Sequence, residues 1–149
     1  MREKITTRNE QETLNLAKEI TEKLLKIPKH AKVIFLKGNL GAGKTVFAKG
    51  VAKAIGIKKN IESPTFVFLR EYEDGKVPFY HFDLYRINNP DELDELGIFE
   101  YLSKEGIILI EWAEKIENYA IPLIEIKITK TGKTEREIEI NYAEDFNNK

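Results

Sequence analysis

The sequence predicts an α/β fold: a three-layer sandwich of the phosphate-loop NTPase type, with a mixed central sheet and antiparallel hairpins. Three observations carry that expectation. Gly38-Asn39-Leu40-Gly41-Ala42-Gly43-Lys44-Thr45 fits the phosphate-loop pattern G-x-x-x-x-G-K-[ST]. Two short runs, 33–36 and 107–110, are apolar throughout and read as strands buried on both faces, as parallel strands in mid-sheet must be. Ile124, Ile126 and Ile128, and then Ile138, Ile140 and Tyr142, alternate on either side of Thr131-Gly132-Lys133, the pattern of a hairpin with one wet face.

A chain of 149 residues suffices for one domain, 1–149, burying roughly 70% of its unfolded surface without a disulfide or metal staple. Its 24 basic and 25 acidic residues leave a net charge of −1, which excludes a domain-wide basic surface for gripping nucleic acid and leaves room only for a local patch. The absence of cysteine excludes thiol chemistry. No apolar run approaches the ~18 residues of a membrane span, and the first residues lack a signal-like apolar stretch. The expectation is a cytoplasmic protein with no membrane contact.

In chain order, Thr7-Arg8-Asn9-Glu10 reads as a capping box. It opens a helix in which Leu14, Ala17, Ile20, Leu24 and Ile27 recur at helical spacing until Pro28. Residues 32–36 follow as a strand and 45–55 as a helix capped by Gly56. After a loop over 57–65, aromatic and branched content predicts a strand over 66–72; a turn at 73–76 reverses the chain, and 77–84 returns as its antiparallel partner. Asn89-Pro90-Asp91-Glu92 starts another helix with an Asn cap, an early Pro and acids near the positive end. It runs to Gly97, and a short helix covers 98–102. The strand at 107–110 ends on Glu111-Trp112, the alternating hairpin closes the fold, and 143–149 is expected to fray.

The loop names a chemistry. Glycines without a Cβ let successive amides turn inward around an anion, and the following helix aims its positive end at the same place. Lys44 adds a point charge for β and γ phosphates, and the Thr45 hydroxyl is a hard oxygen suited to Mg²⁺. The bland alternative, a glycine-rich turn that binds nothing, is opposed by the strand before it and the helix after it. A carboxylate is then needed opposite the loop. Glu111 stands at the C-terminal end of a strand, where open α/β sheets bind ligands, although an acid can also mark a strand's exit to solvent. Asp83, on spacing alone, reads equally as an edge-strand charge. Thr65 lies in Ser63-Pro64-Thr65-Phe66, the segment where nucleotide switches keep a threonine for the γ-phosphate, and a plain turn is the simpler reading. Trp112, the single tryptophan, packs a core or rim or meets a partner. His30 and His81 share no ligand spacing and read as structural. Asp94-Glu95-Leu96-Gly97 matches D-x-x-G but falls within a helix, so guanine specificity has no support. A small-metabolite kinase is the alternative activity; Arg2, Arg8, Arg70, Arg86 and Arg136 form no lid-like cluster in its favour.

Taken in order, the loop at Gly38 to Thr45, then Ser63-Pro64-Thr65-Phe66, then His81-Phe82-Asp83-Leu84-Tyr85-Arg86, then Glu111-Trp112 resemble the motif set of the TsaE (YjeE) family. These are bacterial ATPases for threonylcarbamoyladenosine (t6A) modification of tRNA. The likeness extends from Asn9-Glu10-Gln11-Glu12-Thr13-Leu14 to the C-terminal hairpin. It implies that Gly38, Asn39, Leu40, Gly41, Ala42, Gly43, Lys44, Thr45 and Val46 hold the phosphates of ATP. It further implies that Thr45, Glu111 and Asp83 serve Mg²⁺, that Lys44, Asp83, Glu111 and Thr65 serve hydrolysis, and that Trp112 matters for activity. Glu10 and the hairpin at Gly132 would border the base. Val46 departs from the family, where a second threonine is common, leaving only its backbone amide for phosphate. The resemblance implies partners TsaD and TsaB, tRNA contact only through that complex, and hydrolysis that is weak alone and resets the complex.

Overall fold

The computed structural model describes residues 2–39 and 41–143. In chain order the elements are β1 (Arg2–Thr7), α1 (Glu10–Leu25), β2 (Ala31–Lys37), α2 (Lys44–Ile55), β3 (Leu69–Tyr72), β4 (Phe79–Asp83), α3 (Pro90–Leu96), α4 (Ile98–Tyr101), β5 (Gly106–Glu111), a 3₁₀ turn (Ala113–Lys115), β6 (Ile124–Lys130) and β7 (Arg136–Tyr142). The strands form one seven-stranded sheet in the order β1-β7-β6-β2-β5-β4-β3. β6, β2, β5 and β4 run parallel; β3 pairs antiparallel with β4, β7 with β6, and β1 with β7. The apolar runs fall where their composition requires, on the central strands β2 and β5, covered on both faces.

Each face has its own core. On one, Ala17, Ile20 and Leu24 of α1 and Phe47, Val51 and Ile55 of α2 meet Ile34, Leu36, Ile107, Leu109, Ile124 and Ile126. On the other, Leu93 of α3, Ile98 of α4 and Ile116 after the 3₁₀ turn meet Val33, Phe35, Tyr80, Phe82, Ile108 and Ile110. Burying each such Leu, Ile or Phe contributes about 1.5–3 kcal/mol. The chain is thus an α/β sandwich with a mixed sheet, and β2, β5 and β4 all end at the same edge.

Three local expectations are corrected. β1 was not foreseen: Arg-Glu-Lys-Ile-Thr-Thr carries charges on exposed positions of an edge strand, and its apolar signal is a single residue, Ile5. The cap of α1 is Asn9, whose side chain accepts from the Glu12 amide while Glu12 accepts from the Arg8 amide, so the reciprocal pair sits two residues beyond Thr7 and Glu10. The Thr7 hydroxyl instead meets that of Thr13 in the interior at 2.7 Å. Finally, β3 begins at Leu69, and 65–67 form a turn in which Phe66 is 82% exposed. The helix caps at Gly56 and Asn89 and the α3–α4 break at Gly97 stand as read from the sequence.

α1 and α2 approach so closely at Gly50 that a Cβ there would lie 2.4 Å from the Leu14 carbonyl oxygen and 2.6 Å from the Ala17 Cβ. Gly50→Ala is expected to strain this crossing by about 1–3 kcal/mol, more than the about 1 kcal/mol alanine gains in helix propensity. The midpoint of denaturant unfolding should fall; an unchanged or higher midpoint would show that the two helices can separate freely.

Candidate functional site

The C-terminal ends of β2, β5 and β4 open onto a cleft of about 750 Å³. The turn between β2 and α2 rises over it through residues that side chains rarely tolerate: Gly41 has φ +80° and Gly43 has φ +105°. At Gly38 a Cβ would come within 2.9 Å of the Ile128 carbonyl oxygen, so the loop lies directly on β6. Gly43 caps α2 in the left-handed conformation without a side-chain hydrogen bond, and the first turn of α2 holds no acid. The opening amides of α2 therefore lack a built-in anion, and Lys44 adds a full positive charge among them.

Glu111, the last residue of β5, is 4% exposed. One carboxylate oxygen, Oε1, lies 3.5 Å from Lys44 Nζ, and the other, Oε2, lies 2.6 Å from His81 Nε2. Burial alone would push its pKa up; the hydrogen bond from His81, then attraction to His81 and Lys44, prevail and hold it below the usual carboxylate value. Glu111 is therefore an ionised acceptor at neutral pH.

Asp83 ends β4 in register with Glu111 and is 2% exposed. Its Oδ2 accepts from the Thr65 hydroxyl at 2.8 Å and its Oδ1 from the Tyr85 amide at 2.8 Å. Thr65 also meets the Ser63 hydroxyl at 2.7 Å. The 65–67 turn is held by Arg86, which donates to the Phe66 carbonyl at 3.2 Å and lies 5.4 Å from the Phe68 ring centre. Phe68 and Trp112 carry positive φ, 68° and 58°. For bulky side chains this conformation costs of order 1–3 kcal/mol and is found where surroundings enforce it, commonly at functional sites. The Trp112 ring packs on Tyr85 with centres 4.9 Å apart, and Lys44 Nζ sits 5.2 Å from its centre.

The cleft is lined by Lys44, Thr45 and Val46 of α2, by Gly41, Gly43 and Glu10, and by Thr65, Asp83, Glu111 and Trp112. Gly38, Asn39 and Ala42 border a second hollow of about 480 Å³ across the loop, which Trp112 also touches. Leu40 lies outside the described residues. Gly132 does not line the cleft; Lys133, Thr134 and Arg136 of the same hairpin do, and Gly132 contributes a carbonyl that accepts from Arg136 at 3.3 Å.

The profile of a family described as "Threonylcarbamoyl adenosine biosynthesis protein TsaE" matches residues 7–138. The chain belongs to the TsaE family. The tRNA threonylcarbamoyladenosine biosynthesis protein TsaE of Bacillus subtilis (strain 168) is 46% identical over 112 residues, 74% of this chain and 69% of that one. The protein of that name from Rickettsia prowazekii (strain Madrid E) is 39% identical over 146 residues, 95% of this chain and 98% of its own. A crystal structure of Bacillus subtilis YdiB matches with a TM-score of 0.76 at 37% identity, covering 95% of this chain and 86% of that one.

Two residues of this TsaE site escaped the sequence reading. Spacing alone reads His81 as structural, yet it bonds Glu111 from the adjacent strand; the signal in the sequence is its place two residues before Asp83, which puts both on one face of β4. Arg136 was noted only as one of several scattered arginines. Its guanidinium donates to the Ala42 carbonyl at 2.8 Å and the Gly41 carbonyl at 3.3 Å, and also to Glu135 at 2.9 Å, tying the loop to the hairpin. No local pattern betrays a contact between residues so far apart in sequence. Arg136→Lys keeps the charge but not the fork. Losing about 1.4 kcal/mol of ordering should speed exchange of the Ala42 amide, which donates to the Asn39 carbonyl, about tenfold; unchanged protection would remove Arg136 as the brace.

Proposed function

We propose that this TsaE-family chain serves t6A biosynthesis as a Mg²⁺-dependent ATPase, weak alone, that resets an assembly containing TsaD and TsaB and reaches tRNA only through that assembly. The observation that carries the reading is convergence: an uncapped helix start with Lys44, a buried ionised Glu111, and the Thr65–Asp83 pair all face one cleft. Its volume falls within the range of small-molecule sites. Among the described residues no group of three His, Cys, Asp or Glu side chains could cage a metal alone. The donor set is the Thr45 hydroxyl and Glu111, with Asp83 adjacent, and this suits Mg²⁺, which keeps water and substrate phosphate oxygens as most of its ligands. When bound there, Mg²⁺ would neutralise charge on the β and γ phosphates.

The residues divide the work. Loop amides, including that of Val46, and Lys44 bind the phosphate chain; Lys44 turns to it from Glu111. Glu111 and the Thr45 hydroxyl would hold Mg²⁺, Asp83 supports hydrolysis, and Thr65, held by Asp83, presents its hydroxyl toward the terminal phosphate. Glu10, Lys133 and Thr134 border the nucleoside end. The near-neutral net charge of −1 favours partner proteins over a direct tRNA grip. No helix among the described residues is long and apolar enough to cross a membrane, which is compatible with work in the cytoplasm.

The test is reconstitution with TsaB, TsaD, tRNA, threonine, bicarbonate, ATP and the threonylcarbamoyl-AMP synthase. Multiple-turnover t6A formation should require this chain, and equal yield in its absence would sink the proposal. Glu111→Gln should retain ATP binding in EDTA, while partner-stimulated hydrolysis in Mg²⁺ drops by roughly 10²–10³-fold; full turnover would take Glu111 out of catalysis. A screen showing phosphate transfer to a nucleoside or sugar would favour a kinase instead.

A further inference from the structure

His81 is fully buried, 0% exposed, and its ring stacks on Phe79 with centres 5.8 Å apart and planes 12° apart. Along the α1/α2 face of β4 the alternating residues are Phe79, His81 and Asp83, so His81 stands between an apolar layer and the cleft. Its Nε2 is 2.6 Å from Glu111 Oε2, while its Nδ1 is buried and finds no hydrogen-bond partner among the described residues. An apolar side chain would fill this layer without stranding a nitrogen, so space filling does not account for an imidazole here. Glu111 also meets Lys44, an ammonium that can only donate, so the carboxylate acts as acceptor and Nε2 as the donor in the 2.6 Å contact. The two oxygens of Glu111 thus have separate employment: Oε2 is tied to β4, and Oε1 alone faces Lys44.

We propose that His81 is a positioning residue that withholds Oε2 of Glu111 from the cation site, so that a divalent cation meets a one-oxygen carboxylate and Mg²⁺ is selected over Ca²⁺. This rests on the reading of Glu111 as a cation ligand given above. The physical ground is the difference between the ions. Mg²⁺ demands compact octahedral coordination, whereas Ca²⁺ takes more ligands and readily accepts both oxygens of one carboxylate. Removing the His81 donor frees Oε2, loosens the carboxylate and opens the two-oxygen mode.

The experiment is calorimetric titration of ATP into the wild-type chain, His81→Leu and His81→Gln, each in EDTA, in Mg²⁺ and in Ca²⁺. The wild type is expected to bind ATP more tightly with Mg²⁺ than with Ca²⁺. His81→Leu should lose about 10- to 100-fold more affinity in Mg²⁺ than in EDTA, the usual effect of deleting a partner that orients a metal ligand. Its Mg²⁺/Ca²⁺ preference should fall toward one. His81→Gln, whose amide can donate from nearly the Nε2 position, should recover most of the preference. If His81→Leu fails to melt cooperatively, His81→Asn makes the same comparison, because its shorter amide does not extend to Oε2. An unchanged Mg²⁺/Ca²⁺ ratio overturns the proposal, as does an equal loss in EDTA and Mg²⁺, which would mark His81 as filler. Absence of ATP binding by the wild type in every condition would instead overturn the ATPase reading and this inference with it.

Discussion

The constraint on which the site depends is the placement of an ionised carboxylate at the end of a strand that is otherwise entirely apolar. Glu111 follows Ile107, Ile108, Leu109 and Ile110, and β5 is buried along its whole length. A charge in such a place is tolerable only when its oxygens are engaged, because an uncompensated buried carboxylate costs several kcal/mol. His81 and Lys44 engage one oxygen each. Since His81 belongs to β4 and Lys44 opens α2, this single side chain ties three elements together at the cleft floor. The β4–β5 register then sets Asp83 beside it, and Asp83 in turn fixes the turn at Thr65.

A complementary deficit lies above. Natural helices usually supply an acceptor for their first amides, and α1 and α3 do so with Asn9 and Asn89. α2 does not; Gly43 has no side chain to offer and no acid follows in the first turn. The loop is held from outside, by Arg136 gripping the carbonyls of Gly41 and Ala42, a brace that uses none of the loop's amides. The carbonyls of Gly41 and Ala42 are satisfied by Arg136, and the start of α2 is left without a side-chain cap.

Much of this could be read from the sequence because the relevant signals are local. The apolar runs located β2 and β5, the glycine spacing located the loop, and Gly56, Asn89 and Gly97 marked helix ends by backbone chemistry that acts within a few residues. What escaped depends on distance or on competition. β1 owes its existence to pairing with β7 at the opposite end of the chain. Thr7 and Asn9 are both competent caps, and tertiary burial of Thr7 against Thr13 decided between them. Phe66 and Val67 have strand-like chemistry but lie exposed in a turn anchored by Arg86. The pairing of His81 with Glu111 needed both the face of β4 and the order of β4 and β5 in the sheet.

The contact between Lys44 and Glu111 carries one more consequence for the proposed activity. In the arrangement seen here the two residues neutralise each other across 3.5 Å. Under the proposed function, Lys44 would turn from Glu111 to the phosphate chain. When it turns to phosphates, Glu111 is left with His81 alone, and unpairing one member of a buried ion pair costs about 3–5 kcal/mol. That deficit would be offset by positive charge arriving with the nucleotide, and a divalent cation held by Thr45 and Glu111 would supply it. Loop and carboxylate therefore act as one electrostatic unit rather than as separate sites. On this reading the dependence on Mg²⁺ is already written into the salt bridge that the nucleotide must break.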